Sequence, residues 1–254
     1  MDLSERRGSA ETRHPWEQAR ARFFEGLAAR LVRPSVPVAW LDVGAGDAWL
    51  GMHIADSLPT GSSMVCWDVN YSDDDLATLA AEAPALRFTT DQPTDRADVI
   101  SLLDVLEHVD DDVALLTSLV EQNLADDGVV IVSVPAYQQL FTAHDTALAH
   151  HRRYSPAQCR RVIESCGLRV DEEGGLFSTL LAPRAVQKGL ERVRSPRPAA
   201  DESIGVGGWT GGPLLTKTMT LALNADAAVS RWISARGRVL PGLSYWAICR
   251  RSAT

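Results

Sequence analysis

The fold is decided by residues 41–48, which read Leu41-Asp42-Val43-Gly44-Ala45-Gly46-Asp47-Ala48. An apolar run typical of a buried strand enters a turn with two glycines, and residues 49–58 then continue with helical periodicity. Glycine lets the backbone approach a ligand closely, with the amino terminus of the next helix behind the turn. The stretch therefore predicts a strand, a ligand-binding turn and a helix.

Short apolar runs alternate with amphipathic helical stretches along most of the chain. The predicted strands are 38–43, 63–68, 86–89, 97–103, 129–134, 168–170 and 243–249. The predicted helices are 15–32, 49–58, 73–83, 112–124 and 156–166. This alternation indicates an α/β fold with a parallel sheet covered on both faces. We predict a Rossmann-like, doubly wound, mostly parallel seven-stranded sheet, whose last strand is a candidate for antiparallel pairing.

One segment departs from the alternation and predicts a helical insertion before the last strand. It contains helical stretches at 176–194 and 214–233 around a glycine- and proline-rich loop. The predicted organisation is a flexible leader at 1–13, a ligand-binding core at 14–175, an insertion or lid at 176–238 and a final strand at 239–254.

Composition excludes several classes of protein. The net charge of −8 argues against a general nucleic-acid binder, which needs a clustered basic surface. The four cysteines lack the spacing of metal ligands and are too few for a disulfide framework, so we expect reduced, buried thiols. The chain starts without an apolar signal segment, and no stretch reaches the roughly 18 apolar residues of a membrane span. These features predict a cytoplasmic protein without a transmembrane segment.

Acidic residues follow successive predicted strands. Asp68 follows Gly46 by 22 residues, where a carboxylate can accept both ribose hydroxyls, and Asp91 follows the third strand. The fingerprint for nicotinamide cofactors requires Gly or Ala at position 49, which is Trp49 here. Each acid taken alone also fits a cap or turn, but three acids at successive strand ends, Asp42, Asp68 and Asp91, favour a nucleoside site.

Several segments together resemble the class I S-adenosylmethionine-dependent methyltransferases. They are residues 41–48, Asp68, the pair Asp91-Gln92 and residues 97–109, which contain Asp104-Val105-Leu106-Glu107-His108-Val109. Residues 134–137 and 144–154 resemble one bacterial subgroup of that superfamily. Ala48 departs from the third glycine that many members have. The resemblance implies S-adenosylmethionine as the cofactor.

The resemblance also assigns residues to parts of that cofactor. It implies Asp42, Gly44 and Gly46 for the methionine moiety, Asp68 for the ribose, Asp91 and Gln92 for the adenine, and Leu103 and Asp104 beside the sulfonium. For Glu107 and His108 it suggests a largely structural role.

Candidate catalytic residues follow the fifth predicted strand, at the sheet edge where open α/β folds bind ligands. They are His144, His150, Arg153 and Tyr154. Histidine is the usual general base near neutral pH, and arginine binds carboxylate or phosphate in a bidentate manner. The alternative is a structural His144-Asp145 hydrogen bond and a solvated Arg152-Arg153 pair. The spacing matches no standard metal-ligand pattern, so we predict no metal.

Basic residues Arg184, Lys188 and Arg192 fall on one face of the first insertion helix. Such a stripe fits an anionic substrate, an anionic membrane surface contacted peripherally, or an ordinary solvated face.

We therefore predict an S-adenosylmethionine-dependent methyltransferase that acts on an oxygen or nitrogen of a small-molecule acceptor, for which an anionic group is one option. A non-catalytic nucleoside-binding module of the same fold is the first alternative. An NAD-dependent reductase is the second, opposed by Trp49 and by the absence of a Tyr-x-x-x-Lys motif from the sequence.

Overall fold

The computed structural model of the protein describes residues 13–193, 209 and 211–252. Nearly all of the predicted leader and most of the predicted loop between the insertion helices lie outside the described residues.

Seven strands form one sheet in the order β3-β2-β1-β4-β5-β7-β6. The strands are β1 Ala39–Val43, β2 Ser63–Trp67, β3 Arg87–Thr89, β4 Ala97–Leu103, β5 Leu124–Pro135, β6 Leu168–Leu176 and β7 Ser244–Arg251. Strands β1 to β5 pair in parallel, and β7 lies antiparallel between β5 and β6. The predicted doubly wound, mostly parallel sheet is confirmed, including the antiparallel last strand.

Helices cover both faces of this sheet. They are α1 Pro15–Leu31, α2 Trp49–Asp56, α3 Asp73–Glu82, α4 Asp112–Gln122, α5 Ala143–Ala147, α6 Pro156–Ser165, α7 Leu181–Val193 and α8 Pro213–Ser234. Residues of α1, α2, α3 and α8 share one apolar core with the sheet, and residues of α4 and α6 share the other. Burial on both faces explains why the central strands are continuous apolar runs.

Strand β6 is longer than its apolar run suggests, since it continues through a polar and glycine-containing stretch to Leu176. A Cβ on Gly174 would come within 2.8 Å of the Trp246 indole nitrogen, and one on Gly175 within 2.1 Å of the Leu240 carbonyl oxygen. These glycines therefore serve close packing inside a strand. The helix predicted from 176 begins at Leu181 instead, which places Pro183 in its first turn, where proline is tolerated.

Helix α1 is fixed against the glycine turn. His14 caps the helix together with Glu17, and Pro15 occupies its first turn. Arg13 is buried and pairs with both Glu17 and Asp47, the latter in the turn itself. The start of the helix is thereby held beside the carboxyl end of β1.

The four cysteines are free and buried, as the sequence predicts. Among the described helices, none combines the length and the apolar character that a membrane crossing requires.

Candidate active site

The turn after β1 combines three residues in the left-handed backbone region. Gly44 has φ +64°, Gly46 has φ +55° and Ala48 has φ +54°. A Cβ on Gly44 would lie 2.6 Å from Cγ2 of Val105, so only glycine fits this position. Ala48 adopts the same backbone region despite its Cβ, and α2 begins at the next residue.

Asp68, at the end of β2, holds this turn. Its carboxylate accepts hydrogen bonds from the Gly46 amide at 2.9 Å and from the Asn70 amide at 2.9 Å. Each carboxylate oxygen has two lone pairs, so both keep capacity for a further donor. Asp68 can therefore support the turn and contact a ligand at the same time.

The turn and Asp68 open into a cavity of about 1090 Å³. The ends of β1, β2, β4 and β5 contribute Gly44, Asp68, Asp104 and Pro135 to its wall. Helix α1 contributes His14, Trp16 and Arg20. The cavity thus lies at the carboxyl edge of the parallel strands, where open α/β sheets bind ligands.

The structure brings half of the predicted site residues into this wall. Lining residues among them are Gly44, Asp68, Asp104, His144, His150 and Arg153. The other six, Asp42, Gly46, Asp91, Gln92, Leu103 and Tyr154, are not among the described lining residues.

Asp42 lies under the turn. Its carboxylate is buried and accepts a 2.5 Å hydrogen bond from the Ser101 hydroxyl, which in turn accepts one from the Trp40 indole. Burial raises the pKa of Asp42, against the opposing effect of the Ser101 hydrogen bond. Its observed contacts support the strand end beneath the ligand turn.

Asp91 and Gln92 lie beside the sheet edge. The Asp91 residue is exposed, and its amide bonds the Thr89 hydroxyl. The Gln92 side chain donates to Asn123 at 2.8 Å. Neither residue is among the described lining residues of the cavity, so their predicted contacts with adenine stay a prediction.

Asp104 has an unusual backbone for a non-glycine residue, with φ +62°. Its carboxylate pairs with Arg20 at 3.0 Å and accepts a hydrogen bond from the Ser133 hydroxyl at 3.2 Å. These contacts join β4, β5 and α1 at the cavity. Residues in this region of backbone space often occur at functional sites.

The segment after β5, residues 136–154, leaves the sheet and returns to it. Its two ends pair through the bridge between Ala136 and Tyr154. This closure brings Arg153 back to the cavity, where its guanidinium also donates to the Ala136 carbonyl at 3.3 Å.

Asp145 is the centre of this segment and is fully buried. Its carboxylate contacts His150 at 3.1 Å, Arg153 at 2.7 Å and Arg184 at 2.8 Å. Burial raises the pKa of Asp145, but the His150 hydrogen bond and the Arg153 charge outweigh it, so the pKa lies below its usual range. The structural alternative is wrong on two points, since Asp145 pairs with His150 instead of His144 and Arg153 is buried.

His144 lines the cavity from α5. Burial, and next the nearby Arg184 charge, lower the pKa of His144. A neutral imidazole at neutral pH can accept a proton. His150 lines the same cavity, with its Nδ1 bonded to Asp145 and its Nε2 directed toward Glu107 at 4.0 Å.

Tyr154, which the sequence places among the catalytic candidates, is 3% exposed. Its hydroxyl donates to Asp112 at 2.6 Å. Burial and this hydrogen bond raise the pKa of Tyr154 well above its usual range. The hydroxyl thus bridges the segment to α4, and Tyr154 is not among the described lining residues of the cavity.

Glu107 and His108 line the cavity, although the resemblance suggests a structural role for them. Glu107 is fully buried, and neither of its carboxylate oxygens has a hydrogen-bond partner within the described part of the chain. Burial, and next the charge of Asp104, raise the pKa of Glu107 well above its usual range.

The basic stripe of the insertion does not form a free surface. Arg184 is 11% exposed, lines the cavity and pairs with Asp145, so it is not available to a membrane surface. Lys188 is half-buried on the same helix, and the Arg192 side chain lies outside the described residues. No pattern in the sequence joins Arg184 to Asp145, because the contact depends on how α7 packs against the segment after β5.

Comparison with known proteins agrees with this architecture. A family model described as a methyltransferase domain matches residues 13–173. No curated protein matches the chain significantly in sequence. Among solved structures, the chain is similar to the [4+2]-cyclase SpnF, with a TM-score of 0.57 and 14% identity over 94% of this chain and 84% of that one.

Two further structures extend the comparison. The protein solved with the Trm112 methyltransferase activator of Haloferax volcanii has a TM-score of 0.55 and 15% identity, over 92% of this chain and 91% of that one. The mitomycin 7-O-methyltransferase MmcR has a TM-score of 0.48 and 19% identity over 60% of this chain, which spans about half (49%) of the MmcR length. At 14% and 15% identity, SpnF and the Haloferax volcanii structure establish the fold alone. The family model covers well over half of the 254 residues, and the chain therefore belongs to the methyltransferase-domain family.

Proposed function

We propose that the protein is an S-adenosylmethionine-dependent methyltransferase that acts on an oxygen or nitrogen of a small-molecule acceptor. One observation carries the proposal: the left-handed glycine turn, held by Asp68, opens into the same cavity as His144 and Arg153. Residues predicted for the cofactor and residues predicted for the acceptor thus line one cavity. The cyclase on the same fold shows that the sheet alone would not support this proposal.

The glycine turn has the close backbone approach that the cofactor would require. A Cβ added at Gly44 would collide with Val105, so no residue larger than glycine fits at this point of the cavity wall. Gly44 and Asp68 would hold the cofactor, with Asp104 nearby and Asp42 supporting the turn from below. When bound, S-adenosylmethionine would supply a methyl group on a sulfonium, whose carbon–sulfur bond would break, releasing the neutral thioether, as the acceptor lone pair bonds to the methyl carbon from the opposite side.

The contribution of the chain is then alignment, exclusion of water and removal of a proton. Four residues near the starts of α1 and α7 also line the cavity, namely His14, Trp16, Leu180 and Pro183. His144 takes the acceptor proton at an imidazole nitrogen where the acceptor must lose one. His150, oriented by Asp145, is the second candidate base.

Arg153 and Arg184 would recognise an anionic group on the acceptor. Both guanidinium groups contact the single carboxylate of Asp145, so this cluster of three side chains carries two positive charges against one negative charge. A second carboxylate or a phosphate from the acceptor would balance them.

Titration calorimetry with S-adenosylmethionine, its demethylated product and NADH tests the cofactor. We expect binding of the first two and none of NADH. Transfer of a radiolabelled methyl group to a small-molecule extract tests the reaction. Cofactor binding with no transfer to any extract would instead support the non-catalytic nucleoside-binding module.

A further inference from the structure

We propose that Glu107, His108 and His150 form a binding site for one divalent transition-metal ion at the cavity wall. The ligand atoms of the three side chains all lie within 4.8 Å of one another. Metal bonds of about 2.0–2.2 Å place two ligand atoms of one ion roughly 3–4.4 Å apart, so modest side-chain rotation is sufficient. The 4.0 Å separation of His150 Nε2 and Glu107 Oε1 is already in this range.

The first independent observation is the unsatisfied carboxylate of Glu107. The side chain is fully buried, lines the cavity and has no hydrogen-bond donor on either oxygen among the described residues. Buried polar groups in native proteins are almost always paired with a donor, a water or an ion. A cation in contact with both Glu107 and the two imidazoles would satisfy it.

The second observation is the orientation of His150. Its Nδ1 is bonded to the buried Asp145 carboxylate, which leaves Nε2 directed at Glu107. A carboxylate on the outer nitrogen of a ligating histidine is the usual arrangement at metal sites, because it fixes the ring and the tautomer. Asp145 would act here as a positioning residue.

The backbone holds the two halves of the site together. Glu107 and His108 lie in a short 3-10 turn after β4, and the His151 amide donates to the Glu107 carbonyl at 2.8 Å. The His108 and His150 rings are in edge contact, with centroids 4.6 Å apart. The separation of 42 residues along the chain explains why no ligand spacing in the sequence predicts the cluster.

Two imidazoles and one carboxylate suit Zn²⁺, Mn²⁺, Fe²⁺ or Co²⁺ better than Mg²⁺ or Ca²⁺, which prefer oxygen ligands alone. Three protein ligands leave at least one coordination position open, and all three side chains line the cavity. An acceptor hydroxyl or carboxylate oxygen would occupy that position, a step that rests on the proposed function. His150 would then be a ligand, which leaves His144 as the base.

The test uses the full chain after removal of metal by a chelator. Zn²⁺ is titrated by calorimetry and Mn²⁺ by the paramagnetic resonance of the free ion. We expect one ion per chain. His108→Ala should weaken binding by about tenfold or more and Glu107→Gln by about a hundredfold, since even an outer contact at a metal site is worth that range. The matched control is His151→Ala, a neighbouring exposed histidine outside the cluster.

His108 is exposed, so its substitution reports on the site even if Glu107→Gln fails to fold. Visible absorption of the Co²⁺-loaded protein gives a second reading, which should disappear in His108→Ala and persist in His151→Ala. Absence of stoichiometric binding in the wild type, or equal binding in His108→Ala, would overturn the proposal. Cofactor affinity is measured in a separate titration, so a failure of the metal site and a failure of the proposed function are distinguishable.

Discussion

The carboxylate of Asp145 lies 2.8 Å from the Arg184 guanidinium, although the two residues are 39 positions apart. This contact joins the segment after β5 to helix α7 of the insertion across the cavity. The same carboxylate also contacts His150 and Arg153, so one buried charge holds three side chains around it.

Asp145→Asn should therefore destabilise the protein. Removing one partner of a buried ion pair leaves uncompensated buried charge and costs about 3–5 kcal/mol. The free energy of unfolding from urea denaturation measures this effect. The matched control is Glu172→Gln, which breaks the exposed pair with Arg30 and should cost at most about 1 kcal/mol. Equal losses for the two variants would contradict the central role of Asp145.

Asp68→Ala should weaken S-adenosylmethionine binding by about thirtyfold, the equivalent of about 2 kcal/mol for a charge-assisted hydrogen bond. The variant also removes the acceptor of the Gly46 amide, so thermal unfolding must be measured alongside. Asp91→Ala is the comparison, because Asp91 is exposed and outside the observed wall. We expect less than about a threefold change there. An equal loss of affinity in Asp91→Ala would support the predicted contact between Asp91 and the adenine.

Local sequence patterns were sufficient for the sheet but not for the acceptor side. Glycine spacing, apolar runs and the acid at the end of β2 are properties of short segments, and they are sufficient to predict the seven strands. The apolar run at 168–170 underestimates strand β6, which continues through a polar stretch to Gly174 and Gly175, where close packing requires glycine. The hydrogen bond of Tyr154 to Asp112 has no sequence signal, since the two residues lie 42 positions apart.

His144→Ala should retain cofactor affinity and lose transfer. Loss of a general base typically lowers the rate by about 10² to 10⁴. His53→Ala is the matched control, since His53 packs on Trp49 in α2, away from the acceptor segment. Single-turnover rates with the identified acceptor provide the measurement. A wild-type rate for His144→Ala would show that this residue removes no proton.

Ala48→Gly should stabilise the protein. The left-handed backbone costs a non-glycine residue about 1–2 kcal/mol, and the greater chain entropy of unfolded glycine offsets about 0.4–1 kcal/mol of that cost. Because the fully buried methyl group of Ala48 is also lost, the expected net gain in chemical denaturation is at most about 0.5–1 kcal/mol. Ala45→Gly, in the same turn but without a positive φ, should instead destabilise. A loss of stability in Ala48→Gly would mean that the turn is not strained at this residue.

Arg184→Gln should raise the KM for an anionic acceptor, because it removes one of the two positive charges that face the cavity around Asp145. Lys188→Gln, one helical turn later and outside the observed wall, is the matched control and should leave KM unchanged. The cofactor KM should stay constant in both variants, since Arg184 lies on the acceptor side. Salt should weaken acceptor binding only slightly, because a buried guanidinium is poorly screened. A KM increase of equal size in both variants would assign the effect to the general charge of the helix. An unchanged KM in Arg184→Gln would mean that the pair with Asp145 is only a structural contact between the insertion and the core.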